Sequence, residues 1–329
     1  MRKFGAVLIV FCLLPCVLTV FVKGAAIMDV KKDAREYVET ADGKQIRWED
    51  YLFGRLAANI AETDEPETIK AQAVILRTQA ARKLSAGEKL DSSYITMDEW
   101  KQKWNAKEFD LYTEKYERAI RETKREVVMY EDQLADASFH ALSAGRTRSA
   151  SEVLGPDAQG ADTYLVSVDC AADKEAEDEM QIQTFSYAEV QKRCQPFLVA
   201  LDDAMGTVPV DAADDAMGTV PMDTLMEFQD FEVVTVDSTG YVTEIKILGN
   251  IYPGEQFRQA LGLSSSAFTL QDYQGKLRVT TMGRGHGFGM SQNTANEMAK
   301  GGATYEKILA YFFPGTNLQK NDEIFLNLE

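Results

Sequence analysis

Four glycines at alternate positions, Gly283, Gly285, Gly287 and Gly289, lie inside the run Gly283-Arg284-Gly285-His286-Gly287-Phe288-Gly289-Met290-Ser291-Gln292. Glycine at this density weakens any regular element, so the run must form a loop whose bare backbone is open to close approach. A ligand can then reach main-chain N–H groups while His286 presents its imidazole. A glycine-rich turn holding a structural histidine is the plainer alternative. The dinucleotide pattern G-x-G-x-x-G is not met, because Phe288 and Met290 occupy the third-glycine positions of the two frames. Residues 277–281 read as a strand leading into the run. Two short helices near 292–300 and 304–312 follow it, punctuated by Gly301-Gly302 and closed by Pro314-Gly315.

The other end of the chain carries nineteen consecutive uncharged residues, 4–22, preceded by Arg2 and Lys3. At ~1.5 Å per residue such a helix nearly matches a ~30 Å hydrocarbon core. Residues 1–26 therefore read as a transmembrane anchor, with a cleavable signal ending near Gly24-Ala25-Ala26 as the alternative. Both readings export everything after residue 26, N-terminus inside and C-terminus outside. The net charge of −17, from 35 basic and 52 acidic residues, argues against a protein that grips nucleic acid through its phosphates. Two histidines and four cysteines are too few for a His-rich metal site or a disulfide scaffold. Cys170 and Cys194 face an oxidising exterior, and sequence does not place them within bonding distance. No metal and no cofactor are expected.

Residues 27–48 read as a stalk or a first edge strand, and residues 49–329 as the main domain. Its clearest helix is 66–84, where Pro66 suits the first turn and Asp64 and Glu65 suit the positive end. Ile69, Ala73, Leu76, Ala80 and Leu84 step by three and four, which predicts one buried stripe. A charge-rich helix is expected over 108–124, paired strands over 126–130 and 135–142, and a strand over 163–168 before an acidic loop at 169–179. Residues 231–236 and 242–248 read as a hairpin. Helices separate from long-range strands indicate an α+β fold. The segment 202–213 is repeated at 214–225 with nine of twelve positions identical, which reads as a duplicated acidic loop insertion.

Several blocks together resemble the SpoIID/LytB family. The run from Gly283 to Leu318 is similar to its G-x-G-H-G-x-G-M-S-Q signature, the helix after it and the Y-x-P-G-T close. Glu67-Thr68-Ile69-Lys70-Ala71-Gln72-Ala73-Val74, then Arg77-Thr78, looks like its E-A-L-K-A-Q-A-V-A-A-R-T helix. Phe139-His140-Ala141-Leu142-Ser143-Ala144-Gly145-Arg146-Thr147 resembles F-H-S-T-S-G-G-x-T, and Tyr164-Leu165-Val166-Ser167-Val168 resembles Y-L-x-S-V. The blocks keep the family's order over most of the exported chain.

The resemblance implies mixed helices and antiparallel strands around a glycan cleft, and a protein that works on peptidoglycan strands during sporulation. Family members are lytic transglycosylases of septum thinning and engulfment, or enhancers of a wall amidase. In the first class one carboxylic acid protonates the leaving oxygen, then as carboxylate takes the proton of the sugar's 6-hydroxyl. By alignment the family's acid falls on Asn59, which cannot exchange a proton. Glu67 is the alternative acid, though helix-end electrostatics and pairing with Lys70 also account for it. Gln72, His140, Ser143, Arg146, Gly285, His286, Gly287, Met290, Ser291 and Gln292 carry over as substrate-binding candidates. Turn packing, or capping in the case of Ser291 and Gln292, is the structural alternative. The partners implied are glycan strands and a wall amidase or other sporulation membrane proteins. The place implied is outside the cell membrane or between the membranes of the sporulating cell. Two readings stand: a lytic transglycosylase, or a wall-binding scaffold that stimulates another hydrolase.

Overall fold

The computed structural model describes residues 37–158, 160–177, 179–204 and 226–325. The chain divides into two compact units, the first taking residues up to 63, 72–127 and those from 318, the second taking 64–71 and 128–317.

In the first unit, β1 (Tyr37–Glu39) and β2 (Gln45–Arg47) form an antiparallel hairpin with Val38 opposite Ile46. These residues fall in the stretch expected to be a stalk or edge strand. Helix α1 (Trp48–Asn59) follows at once and buries Trp48, Leu52, Phe53 and Leu56. Helix α2 (Pro66–Ser85) begins in the second unit and continues in the first. Helix α3 (Met97–Lys103) starts on a reciprocal capping box between Thr96 and Glu99, and α4 (Ala106–Glu122) on an Asn105 cap. Phe53 meets Trp100 and Tyr116 edge-on, each at 5.7 Å between centroids. The Tyr116 hydroxyl donates to the Ile60 carbonyl at 2.7 Å, so the end of α1 is tied to α4.

The single buried stripe expected for α2 is corrected. Val74, Ile75, Leu76, Ala80 and Ala81 are buried, and so are Gln72, Arg77 and Thr78. The helix is enclosed on nearly all sides in this unit because Arg77 finds internal acceptors. Its guanidinium donates to the carbonyls of Ile120 and Glu126 and to Thr123 Oγ1, at 3.3–3.4 Å. A buried cation held this way looks, in sequence, like an ordinary polar-face arginine.

The second unit opens with β3 (Glu126–Tyr130), which crosses the boundary, and β4 (Gln133–Leu134), paired through Met129 and Leu134. Next come β5 (Phe139–His140), β6 (Met180–Phe185) and α5 (Tyr187–Ala204). The antiparallel strands β7 (Phe231–Val236), β8 (Val242–Ile247) and β9 (Asn250–Pro253) form one sheet and lead into α6 (Gly254–Leu261). Strands β10 (Phe268–Asp272) and β11 (Leu277–Met282) join β6 in another antiparallel sheet. After them come β12 (Met290–Ser291), α7 (Gln292–Lys300) and α8 (Tyr305–Phe312), and the strand Asn317–Lys320 then pairs with β3. Val190, Cys194, Ile245, Phe257, Leu277 and Val279 lie at the centre of its apolar core.

The hairpin at 231–248, the strand from 277 and the two C-terminal helices stand where the sequence put them. Two strands do not. The short strand paired with β3 is Gln133–Leu134, just ahead of the 135–142 segment, and within that segment Phe139 and His140 pair instead, in parallel, with Met290 and Ser291. Residues 163–168 form no strand. Thr147 bonds to them singly, donating from its N–H to the Val168 carbonyl at 3.0 Å and accepting from the Val168 N–H at 2.9 Å through Oγ1. A threonine side chain thus replaces part of a ladder.

The expected fold class is corrected in one respect. The described chain is α+β with mainly antiparallel sheets and the one short parallel pair of β5 and β12 among its described strands, but no helix among the described residues is long and apolar enough to cross a membrane. The segment expected to do so, 4–22, lies outside the described residues, as does 205–225 of the duplication.

Candidate functional site

The glycine run is laced to the segment 138–148. Met290 N–H donates to the Ser138 carbonyl at 2.9 Å, and Leu142 and Arg284 exchange backbone hydrogen bonds at 3.0 and 2.7 Å. Arg148 N–H donates to the Gly287 carbonyl at 2.7 Å, and Gly285 N–H to the Ser264 carbonyl at 2.8 Å. All four glycines have positive φ, from +75° to +111°. A β-carbon at Gly289 would stand 2.0 Å from the Ser138 carbonyl oxygen, and one at Gly287 would stand 2.3 Å from the Tyr241 ring. The glycines therefore serve, first, the close approach of the protein's own backbone.

This packing brings the two histidines together, with ring centroids 5.9 Å apart. The backbone of Phe288 orients both. Its carbonyl lies 3.1 Å from His140 Nδ1, so that nitrogen carries the proton and Nε2 keeps a lone pair. Its N–H donates to His286 Nδ1 at 3.1 Å, so the proton of His286 sits on Nε2. Burial, with His286 as a second cause, lowers the His140 pKa to about 4, and the ring is neutral at physiological pH. His286 is exposed, yet the protein atoms around it displace enough water to lower its pKa too. Arg258 and Arg148 act in the same sense, while Glu255 and a backbone hydrogen bond with Phe139 oppose them.

Beneath the loop lies an acid that sequence reading passed over. Asp173 is fully buried and accepts from Ser143 N–H at 2.8 Å, Ser143 Oγ at 2.6 Å, Ser291 Oγ at 2.8 Å, Asn293 Nδ2 at 3.1 Å and Thr294 Oγ1 at 2.8 Å. Ser143 and Ser291 are wholly buried on it, and Ser291 also caps α7. In the sequence Asp173 is one acid among several in an acidic loop, with nothing to single it out. Arg148 and Asp237 were passed over as well. They form an ion pair at 2.5 Å, with side chains 10% and 2% exposed, and the guanidinium lies 5.0 Å from the Tyr241 ring centroid. Asp237 also accepts from Thr239 N–H, Thr239 Oγ1 and Tyr241 N–H, the Asx-turn chemistry that its place in a D-S-T-G turn permits.

The structure thus gathers His140, Ser143, Gly285, His286, Gly287, Met290 and Ser291, with Gln292 beginning α7 half-buried. Arg146 is exposed at the far end of the same segment, its guanidinium 3.3 Å from Ser167 Oγ and 3.6 Å from the Asp169 carboxylate. Glu67, in the short α2 portion of this unit, bonds Lys70 at 2.7 Å as expected and also accepts from Tyr305 N–H at 2.8 Å, which caps α8. Asn59 and Gln72 belong to the first unit. Asn59 is half-buried and donates from Nδ2 to the Arg55 carbonyl at 2.7 Å, and Gln72 is fully buried.

No group of three or more His, Cys, Asp or Glu among the described residues is placed to hold a metal ion. Cys170 and Cys194 are free and buried, and burial pushes both thiols up to about 12, so they remain protonated.

A mixed fold built around a glycine–histidine loop is the class of protein these features define. Residues 37–130 match the family model described as stage II sporulation protein, a span that includes Asn59, Glu67 and Gln72 and ends before His140. Over 298 residues it is 29% identical to stage II sporulation protein D of Bacillus subtilis (strain 168), covering 86% of this chain and 77% of that relative. The protein of the same name from Bacillus amyloliquefaciens is 27% identical over 293 residues, covering 85% and 76%. The amidase enhancer of Bacillus subtilis (strain 168) is 34% identical over 84 residues, which is 25% of this chain and 12% of that protein.

Proposed function

We propose that this chain is a sporulation protein of the cell envelope that binds peptidoglycan glycan strands at its histidine loop and stimulates a partner hydrolase, such as a wall amidase, without cleaving the strand itself. It works on the wall side of the membrane, outside the cell or between the membranes of the sporulating cell. Similarity to stage II sporulation protein D over most of the chain supports the process, and the short similarity to an amidase enhancer supports the partner. His286 with its flanking glycines, backed by His140, forms the binding surface, and Arg146 and Gln292 extend it.

The observation that carries the non-catalytic reading is the state of the two acid positions. Asn59 holds no exchangeable acid proton and donates to its own helix. Glu67 has both oxygens committed, one to Lys70 and one to the start of α8. General acid–base catalysis contributes roughly 10²–10⁴-fold, so its loss reduces cleavage to near background. The test is digestion of purified denuded glycan by the full-length chain, with mass spectrometry for 1,6-anhydro ends. The native protein is expected to bind and release none, and Asn59→Glu to restore them. A native protein that makes anhydro ends and loses them in Glu67→Gln restores the lytic transglycosylase reading.

A further inference from the structure

A surface tyrosine ordinarily keeps its hydroxyl in water and packs its ring inward. Tyr311, on the last turn of α8, does the reverse. Its hydroxyl donates to the Asp169 carbonyl at 2.6 Å, yet the residue is 38% exposed. That is more than a hydroxyl alone accounts for, so apolar ring faces solvent. The ring also meets the buried Phe312 edge-on, with centroids 5.2 Å apart and planes at 88°. Pinned at its tip and braced at one side, it is held in place before any ligand arrives.

The loop that receives the hydroxyl is fixed from its other side. Cys170 N–H donates to the Gly145 carbonyl at 3.0 Å and Thr147 N–H to the Val168 carbonyl at 3.0 Å, which laces 167–170 to 145–148. Between these bonds Arg146 donates from Nε to Ser167 Oγ at 3.3 Å and from Nη2 to the Ser167 carbonyl at 3.4 Å. Its Nη1 lies 3.6 Å from Asp169 Oδ1, and the two charged side chains are 50% and 62% exposed. So exposed a pair adds little to stability. What it offers is donors beside an acceptor, within reach of solvent. All these residues belong to the second unit, on the segments that meet under the histidine loop, where Ser143 donates to Asp173.

A rigid exposed ring beside a guanidinium and a carboxylate matches a β-linked pyranose with equatorial substituents. Such a sugar turns its axial C–H bonds to two flat faces and its hydroxyls to the rim, and each hydroxyl both donates and accepts. A strongly anionic ligand fits less well, because Asp169 repels it. We propose that Tyr311, Arg146 and Asp169 form a sugar platform that extends the histidine-loop site. One pyranose of the glycan strand lies on the Tyr311 ring, and a rim hydroxyl is shared between Arg146 and Asp169. This rests on the reading of the loop as a glycan site.

The experiment titrates the full-length chain with a GlcNAc–MurNAc tetrasaccharide and follows the two histidine ring resonances by NMR. It also reads transfer of saturation from aromatic protons of the protein to ring protons of the sugar. Native protein should bind with a shift at His286 and with transfer to the axial protons of a pyranose. Tyr311→Leu keeps an apolar side chain without the ring. It should weaken binding at least about fivefold and lose most of the transfer, while both histidine resonances of the free protein stay native-like. Tyr311→Phe keeps the ring and should bind within about twofold of native. Arg146→Met should weaken binding at least about threefold. Native-like affinity and transfer in folded Tyr311→Leu overturn the proposal, and a ligand that still shifts His286 there leaves the loop reading intact. Equal losses in Tyr311→Leu and Tyr311→Phe assign the residue to holding the 169 loop through its hydroxyl, and overturn the platform likewise. Unchanged affinity in Arg146→Met overturns the rim contact. No binding and no shift at His286 in native protein overturns the loop reading, and the platform with it.

Discussion

Asp173 decides more about the site than any residue facing it. Every neighbour of its carboxylate is a donor, so Asp173→Asn turns an amide NH₂ against Ser143 N–H or Asn293 Nδ2 whichever way the group is flipped. Loss of charge-assisted bonds and an unpaired buried donor together should cost on the order of 3 kcal/mol in urea unfolding. A change below about 1 kcal/mol would show that the loop holds without this hub. His140 sets a pH dependence of known sign. Its pKa is about 4 in the fold against an ordinary 6.5. Between those values the unfolded chain binds more protons at this residue, so its contribution is complete above pH 6.5 and declines as pH falls toward 4. From pH 6.5 to 5 the native chain should lose about 2 kcal/mol that His140→Gln does not lose. Equal acid sensitivity of the two proteins would show that His140 does not couple folding to protonation.

At the scale of elements, the glycine loop is an assembly device before it is a binding surface. Gly289→Ala would combine a positive φ with a clash on the Ser138 carbonyl that separates β5 from β12 in space. Gly302→Ala offers a contrast, since Gly302 has φ +87° and open space around its missing β-carbon. The second substitution should cost about 1–2 kcal/mol, the conformational penalty alone. The first should exceed it clearly or prevent folding, as measured by thermal unfolding side by side. Similar losses in both would mean that the β5–β12 contact relaxes easily. For the same reason Gly287→Val is no clean probe of binding, because it meets the Tyr241 ring before any ligand.

Across the whole molecule, the net charge of −17 sets how a ligand can be held. A chain this acidic gains nothing from long-range attraction to anionic polymers, and a glycan held by hydrogen bonds releases few counterions. Binding of denuded glycan should therefore change less than about twofold between 50 and 500 mM salt, read by a pull-down titration. A steep loss with salt would point to a charged wall polymer as the ligand.

What could be read before any fold was known were features with a local cause. Pro66 and the acids before it start a helix, D-S-T-G closes a hairpin, and alternate glycines demand a loop, each through the preferences of a few neighbouring residues. Order along the chain also carried the family resemblance, which implies that Asn59 stands where the family has its acid. The rest depended on contacts between segments far apart in sequence. Nothing near Phe139 reveals that it pairs with Met290, and an arginine at 77 looks solvated until carbonyls from 120 and 126 close over it. Arg148 meets Asp237 across 89 positions, and Asp173 collects donors from 143 and 291–294. Burial turns such ordinary polar residues into determinants of the fold, because away from water each donor and acceptor needs a partner, and only the tertiary structure supplies it.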